Sequence, residues 1–119
     1  MAGNPLARAL RWFGRPSDEL DSEEAVRAAQ EAGAQTVAEC TDRQRATLRG
    51  RIAVLTLRPR SGTPWLEAEL EDGSGSITLI WMGRREIPGL TAGRELKVTG
   101  RVSWVDGRRR MYNPYYELL

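Results

Sequence analysis

Strict alternation of side-chain type governs the middle of this chain. From Trp65 to Met82, Leu66, Ala68 and Leu70 alternate with Glu67, Glu69 and Glu71, and Ile77, Leu79 and Trp81 alternate with Thr78, Ile80 and Met82. A period of two places one set of side chains on each face of a strand. Asp72-Gly73-Ser74-Gly75 separates the two runs, and its glycines suit the positive φ of a tight reversal. The stretch is therefore a β-hairpin, buried on one face and open on the other. Folding it about Gly73–Ser74 sets Trp65 opposite Met82, near Ile80, and makes an apolar platform at one end of the open face. Trp81 shares the phase of Ile77 and Leu79 and belongs to the core.

Strand signals continue on both sides. Thr47–Arg58 is a long strand with Gly50 where a strongly curved strand would bend. Pro59–Pro64 is a loop, and Gly83–Gly93 is too rich in glycine for more than one turn of helix. Glu95–Val105 carries Leu96, Val98, Val102 and Trp104 in phase around Gly100. Asp106-Gly107 is a hairpin turn, and Arg108–Leu119 supplies a fifth strand, ended or bulged near Pro114. Five strands, a short helical insertion between the third and fourth, and glycines in the first and fourth follow the order of a small curved barrel, the OB-fold. The fold class expected is mainly β, a five-stranded Greek-key OB-fold barrel with a short N-terminal helical extension. The division falls as residues 1–45 for the extension and 46–119 for the barrel.

The N-terminal part reads differently. Pro5–Gly14 has a proline suited to a first turn, Leu6, Leu10 and Phe13 on one face, and Gly14 to end it. Ser17–Ala32 reads as a second helix, capped by Asp21 or Ser22 and stopped at Gly33. Its apolar face is small and shallow, and six acids against the lone Arg27 make its outer surface negative. Thr36–Cys40 is a brief β-prone piece, and Thr41–Arg45 a polar link.

At 119 residues there is room for one domain and a short extension. No apolar run approaches the roughly 20 residues of a membrane span, and the N-terminus lacks the apolar core of a signal peptide, so a cytoplasmic protein without membrane contact is expected. The single Cys40 excludes an internal disulfide, and the absence of histidine argues against zinc. Basic residues are 17 arginines and Lys97. Net charge is −2 over residues 1–46 and +4 over residues 47–119, so the β-rich part carries the positive charge.

Leu66–Trp81, with its Glu-Asp-Gly-Ser-Gly-Ser-Ile-Thr-Leu centre, resembles the second and third strands of the nucleic-acid-binding OB-fold family that includes the anticodon-binding and RecG-wedge domains. Pro88-Gly89-Leu90, Gly93 and Val98-Thr99-Gly100-Arg101-Val102 are similar to the fourth strand of that family. Asn113-Pro114-Tyr115-Tyr116-Glu117 resembles the region that closes the wedge domain, with Asn113 in place of a histidine. The chain as a whole is similar to short, stand-alone OB-fold proteins of actinobacteria. The resemblance covers about residues 46–119 and implies nucleic-acid binding. No helicase motor motif follows, so motor activity is not implied.

The residues offer little for catalysis. There is no histidine and no lysine-bearing phosphate loop, and Cys40 has no partner base, which points to a non-enzymatic protein without a cofactor. Binding is better served. Trp65 points outward beside the first loop, Arg58 and Arg60 enter that loop, and Arg84 and Arg85 follow the third strand. Trp104, Arg108, Arg109, Arg110 and Tyr112 surround the second hairpin turn. Aromatic rings among guanidinium groups suit single strands, whose bases stack and whose phosphates pair. The expected partner is single-stranded or branched nucleic acid, DNA ahead of RNA, with a protein partner or homo-oligomer also open. The alternative is a protein–protein adaptor that uses the same groove, the N-terminal helices, and Trp65, Ile80, Met82, Trp12 and Phe13 as anchors. Glu67, Glu69 and Glu71 on the outer face oppose a long phosphate track across the middle of the sheet.

Overall fold

The computed structural model describes residues 23–24, 34–60 and 62–119. The helices expected over Pro5–Gly14 and Ser17–Ala32 lie outside these residues, except that Glu23 and Glu24 are helical. Six strands follow: β1 (Arg45–Arg60), β2 (Thr63–Glu71), β3 (Ser76–Met82), β4 (Glu95–Val105), β5 (Arg108–Tyr112) and β6 (Tyr115–Leu118). They form one sheet in the order β1-β2-β3-β5-β4-β6, and β1 also pairs with β4. The ladders therefore run from β1 through β2, β3, β5 and β4 and return to β1.

β1 makes this circuit possible because it serves two partners. Its first half, Arg45–Arg51, pairs with β4, and its second half, Arg51–Arg60, pairs with β2, with a register shift between Ile52 and Val54. Gly50 sits at the changeover. A Cβ there would run into the carbonyl of Glu71 at the end of β2, so only glycine lets the two strands come this close. The β2–β3 register is as the alternation requires, Trp65 opposite Met82 through Glu71 opposite Ser76. Of the two glycines in that turn only Gly73 takes positive φ, at 90°. At the second hairpin both Asp106 and Gly107 do, as a two-residue turn demands.

The expected fifth strand is two strands. Asn113 turns to φ 50°, Pro114 has no N–H for a ladder, and the register against β4 slips by one residue between β5 and β6. The break is tied to β3. The Asn113 amide donates to the Ile80 carbonyl at 2.6 Å, its Oδ1 accepts from the Met82 amide at 2.9 Å, and the Trp81 indole N–H donates to the Pro114 carbonyl at 3.1 Å. Trp81 is buried, as its phase requires. No helix forms between β3 and β4. That connection is a series of turns which buries Ile87 and Leu90.

The core is the inward set of each strand: Leu48 and Ile52, then Leu66, Ala68 and Leu70, then Ile77, Leu79 and Trp81, then Leu96, Val98 and Val102, with Met111 from β5. Each of the larger side chains contributes about 1.5–3 kcal/mol by leaving water. Val37 joins this core from outside the sheet. It belongs to a 3-10 turn, Val37–Glu39, where the sequence suggested a β-prone piece. The reason is tertiary. Asp72, fully buried in the β2–β3 turn, accepts from the Val37 amide at 2.7 Å, and Ser74 Oγ accepts from the Ala38 amide at 3.0 Å, so the turn's exposed donors find acceptors on the hairpin.

Candidate nucleic-acid interface

Residues directly opposite one another on paired strands share a face. The ladders therefore order the outer surface of β1, β2, β3 and β5 into rows. Arg58, Trp65 and Met82 form one row, Thr56, Glu67, Ile80 and Tyr112 the next, and Val54, Glu69, Thr78 and Arg110 the third. Trp65 and Tyr112 meet edge to face, with ring centroids 6.5 Å apart and planes at 83°. Both are half-buried, and Met82 beside them is 40% exposed. Ile80 departs from expectation. It lies on the outer face, as its phase requires, but is only 1% exposed, so it supports the platform from below the surface and cannot be a contact or an interface anchor. The platform is thus the exposed Met82 with the half-buried Trp65 and Tyr112.

The cations around it differ in what they pair with among the described residues. Arg58 is directly opposite Trp65, and its Nε pairs with Glu67 Oε1 at 3.0 Å. Such a surface ion pair contributes about 0–1 kcal/mol, which a phosphate can replace. Arg60 contributes its backbone to the end of β1. Arg84 and Arg85 are exposed just beyond Met82 and have no ion pair among the described residues. Arg108 is exposed and Arg110 half-buried, both on the face that carries Tyr112 and likewise unpaired among the described residues.

Arg109 is on the other side of β5. It shares the phase of Met111 and is the ladder partner of Trp104, and its guanidinium lies 4.4 Å from the centre of the Trp104 ring. Its Nε and Nη2 donate to the carbonyls of Cys40 and Ala38, each at 3.4 Å. Trp104, 39% exposed, is on this same face, and its amide donates to Asp42 Oδ1 at 2.9 Å. The hairpin-tip arginines are thus not one cluster. Arg108 and Arg110 face the Tyr112 side, while Arg109 and Trp104 hold residues 38–42. Strand alternation already separates Arg109 from its neighbours; what it would meet could not be read locally, because Ala38 and Cys40 are about 70 positions away.

Two groups beside this second cluster have shifted ionisation. Burial pushes the Cys40 thiol up, opposed by the nearby positive charge of Arg109, and its S–H donates to the Thr36 carbonyl. The Thr36 amide, with help from its side chain, holds the Glu39 carboxyl below its ordinary value. Among the described residues no group of three His, Cys, Asp or Glu side chains is placed to hold a metal ion, and no helix is long and apolar enough to cross a membrane.

The structure is thus a six-stranded sheet whose ladders return to their origin, with an aromatic pair on its outer face. Residues 46–119 match the family described as OB-fold nucleic acid binding domain, and the chain belongs to that family. Among solved structures it is similar to RecG bound to a three-way DNA junction, with 20% identity and a TM-score of 0.59 over 71% of this chain and 12% of that one. It is also similar to a replication protein A heterotrimer bound to ssDNA, with 14% identity and a TM-score of 0.51 over 77% of this chain and 76% of that one. At these identities the likeness is one of fold. The chain spans about an eighth of the RecG chain it matches. No curated protein matches it.

Proposed function

We propose that this protein is a binding module, without catalytic activity, for single-stranded or branched nucleic acid, DNA ahead of RNA. The circuit of ladders is read as a five-stranded barrel on which β6 extends the last strand. The observation that carries the proposal is the Trp65–Tyr112 pair on the outer face, with Met82 beside it and Arg84, Arg85, Arg108 and Arg110 around it. A base stacked on one of these rings gains about 1–3 kcal/mol, and the arginines take the phosphates on either side. The two rings stand nearly perpendicular, so successive bases cannot stack on both without a bend in the strand. That favours a short or branched ligand over a long straight one. Membership of the family supports the ligand class, as do the DNA junction and ssDNA of the two similar structures.

Titration of a labelled oligonucleotide at two salt concentrations tests the proposal. Four phosphate contacts predict a log–log slope of about −3 for a single strand. Binding that ignores salt, or none at low salt, overturns it.

A further inference from the structure

Two carboxylates on this face have no cation paired with them among the described residues. Arg58 engages Glu67. Arg51 stands directly across from Glu71, yet it pairs with Glu95 at 3.6 Å, which Arg49 also reaches at 3.8 Å. Glu69 and Glu71 therefore have no ion-pair partner among the described residues. On a surface that attracts polyanions their charge must lie where phosphate does not.

The register says where phosphate can lie instead. Glu69, Thr78 and Arg110 form one row across β2, β3 and β5. Two strand spacings, about 9–10 Å, separate its ends. The row is negative at one end, bears a hydroxyl in the middle and is positive at the other end. A nucleotide has the matching polarity across its width, with an anionic phosphate at one side and the hydrogen-bonding edge of the base at the other.

Resting on the nucleic-acid reading above, we propose that a single strand lies along the sheet with phosphates over Arg110 and base edges over Glu69, and that Glu69 selects bases by their amino donors. A carboxylate only accepts hydrogen bonds. Guanine suits it best, since its ring N–H and adjacent amino group present two donors to two oxygens, and cytosine offers its amino group. Thymine offers one N–H flanked by two carbonyls, which the carboxylate repels. Glu71 is two residues further along β2, about 6.6 Å away, and its charge keeps phosphate off the same edge of the face.

Fluorescence anisotropy with labelled oligothymidylate and an alternating guanine–thymine oligomer of equal length, both at low salt, tests this. The wild type binds the guanine-containing oligomer at least about fivefold more tightly, the lower limit for one good base contact. In Glu69→Gln, whose amide can also donate to thymine, the gap closes to less than about twofold, chiefly through tighter binding of oligothymidylate. Arg110→Glu weakens both oligomers alike. Equal binding of the two by the wild type overturns the proposal, and so does an equal gain for both in Glu69→Gln, which would make Glu69 a simple repeller of phosphate. If neither oligomer binds, the nucleic-acid reading itself falls.

Discussion

The buried carboxylate of Asp72 accepts a hydrogen bond from the amide of Val37 at 2.7 Å, across 35 positions of sequence. Its other oxygen accepts from the amides of Ser74 and Gly75 and from the Ser74 hydroxyl at 2.7–3.2 Å. One side chain thus shapes the β2–β3 turn and fastens the segment before β1 to it. Removing it leaves the buried Val37 amide and the part-buried amides of Ser74 and Gly75 without this acceptor.

Asp72→Ala is therefore expected to lower the unfolding free energy by at least about 2 kcal/mol, because each buried donor left unsatisfied costs about 1–3 kcal/mol. Ser74→Ala, which removes one bond to Asp72 and one from Ala38, costs about 1 kcal/mol. Urea denaturation measures both. Equal effects would show that the Val37 contact contributes nothing.

Two glycines give a contrast in packing. Gly50→Ala forces a methyl into the backbone of Glu71, which cannot swing aside, and is expected to cost about 1–3 kcal/mol or prevent folding. Gly75→Ala meets the side chain of Val37 at 3.4 Å and the Ala38 amide nitrogen at 4.0 Å, both ordinary contacts, and should stay within about 0.5 kcal/mol of wild type. Thermal melts of the two variants, compared side by side, check the difference.

Stacking predicts a pattern of its own. Trp65→Ala and Tyr112→Ala each weaken oligonucleotide binding by roughly five- to a hundredfold, the equivalent of about 1–3 kcal/mol. The double variant loses less than the sum, since the rings touch and each orients the other. Trp104→Ala, on the other side of the β4–β5 hairpin and packed with Arg109, leaves that affinity within about twofold while lowering stability. Anisotropy titration and denaturation, run on the same samples, separate the two roles.

The pH dependence follows from Cys40. Burial raises its thiol above the ordinary range, so the folded state holds this proton more firmly than the unfolded chain does. That contribution is fully present below the unfolded thiol value, about 8.5, and is lost as pH rises through the folded value. Stability measured from pH 7 to 10 should fall on the alkaline side, and Cys40→Ala should flatten that limb. A thiol reagent at pH 8 should label the native protein slowly and the urea-unfolded protein at the rate of a free thiol. Rapid native labelling would contradict the burial.

Much of this molecule follows from alternation and turn chemistry alone. Leu66, Ala68 and Leu70 had to face opposite to Trp65, and a four-residue turn at Asp72–Gly75 had to bring Trp65 beside Met82. The core phase of Trp81 and the break near Pro114 are equally local, since one depends on period and the other on a missing N–H. Tertiary structure decided what each surface position meets. Ile80 has the phase of an exposed residue and is buried, whereas Trp104 has the phase of a core residue and is well exposed, because the sheet continues around one and ends beside the other. Alternation sets Arg109 on the face opposite its two neighbours, but only the fold brings Ala38 and Cys40 within its reach. Direction along a strand depends on the next residue but one, whereas burial and charge pairing depend on segments tens of positions away, which only the closed path of the ladders brings together.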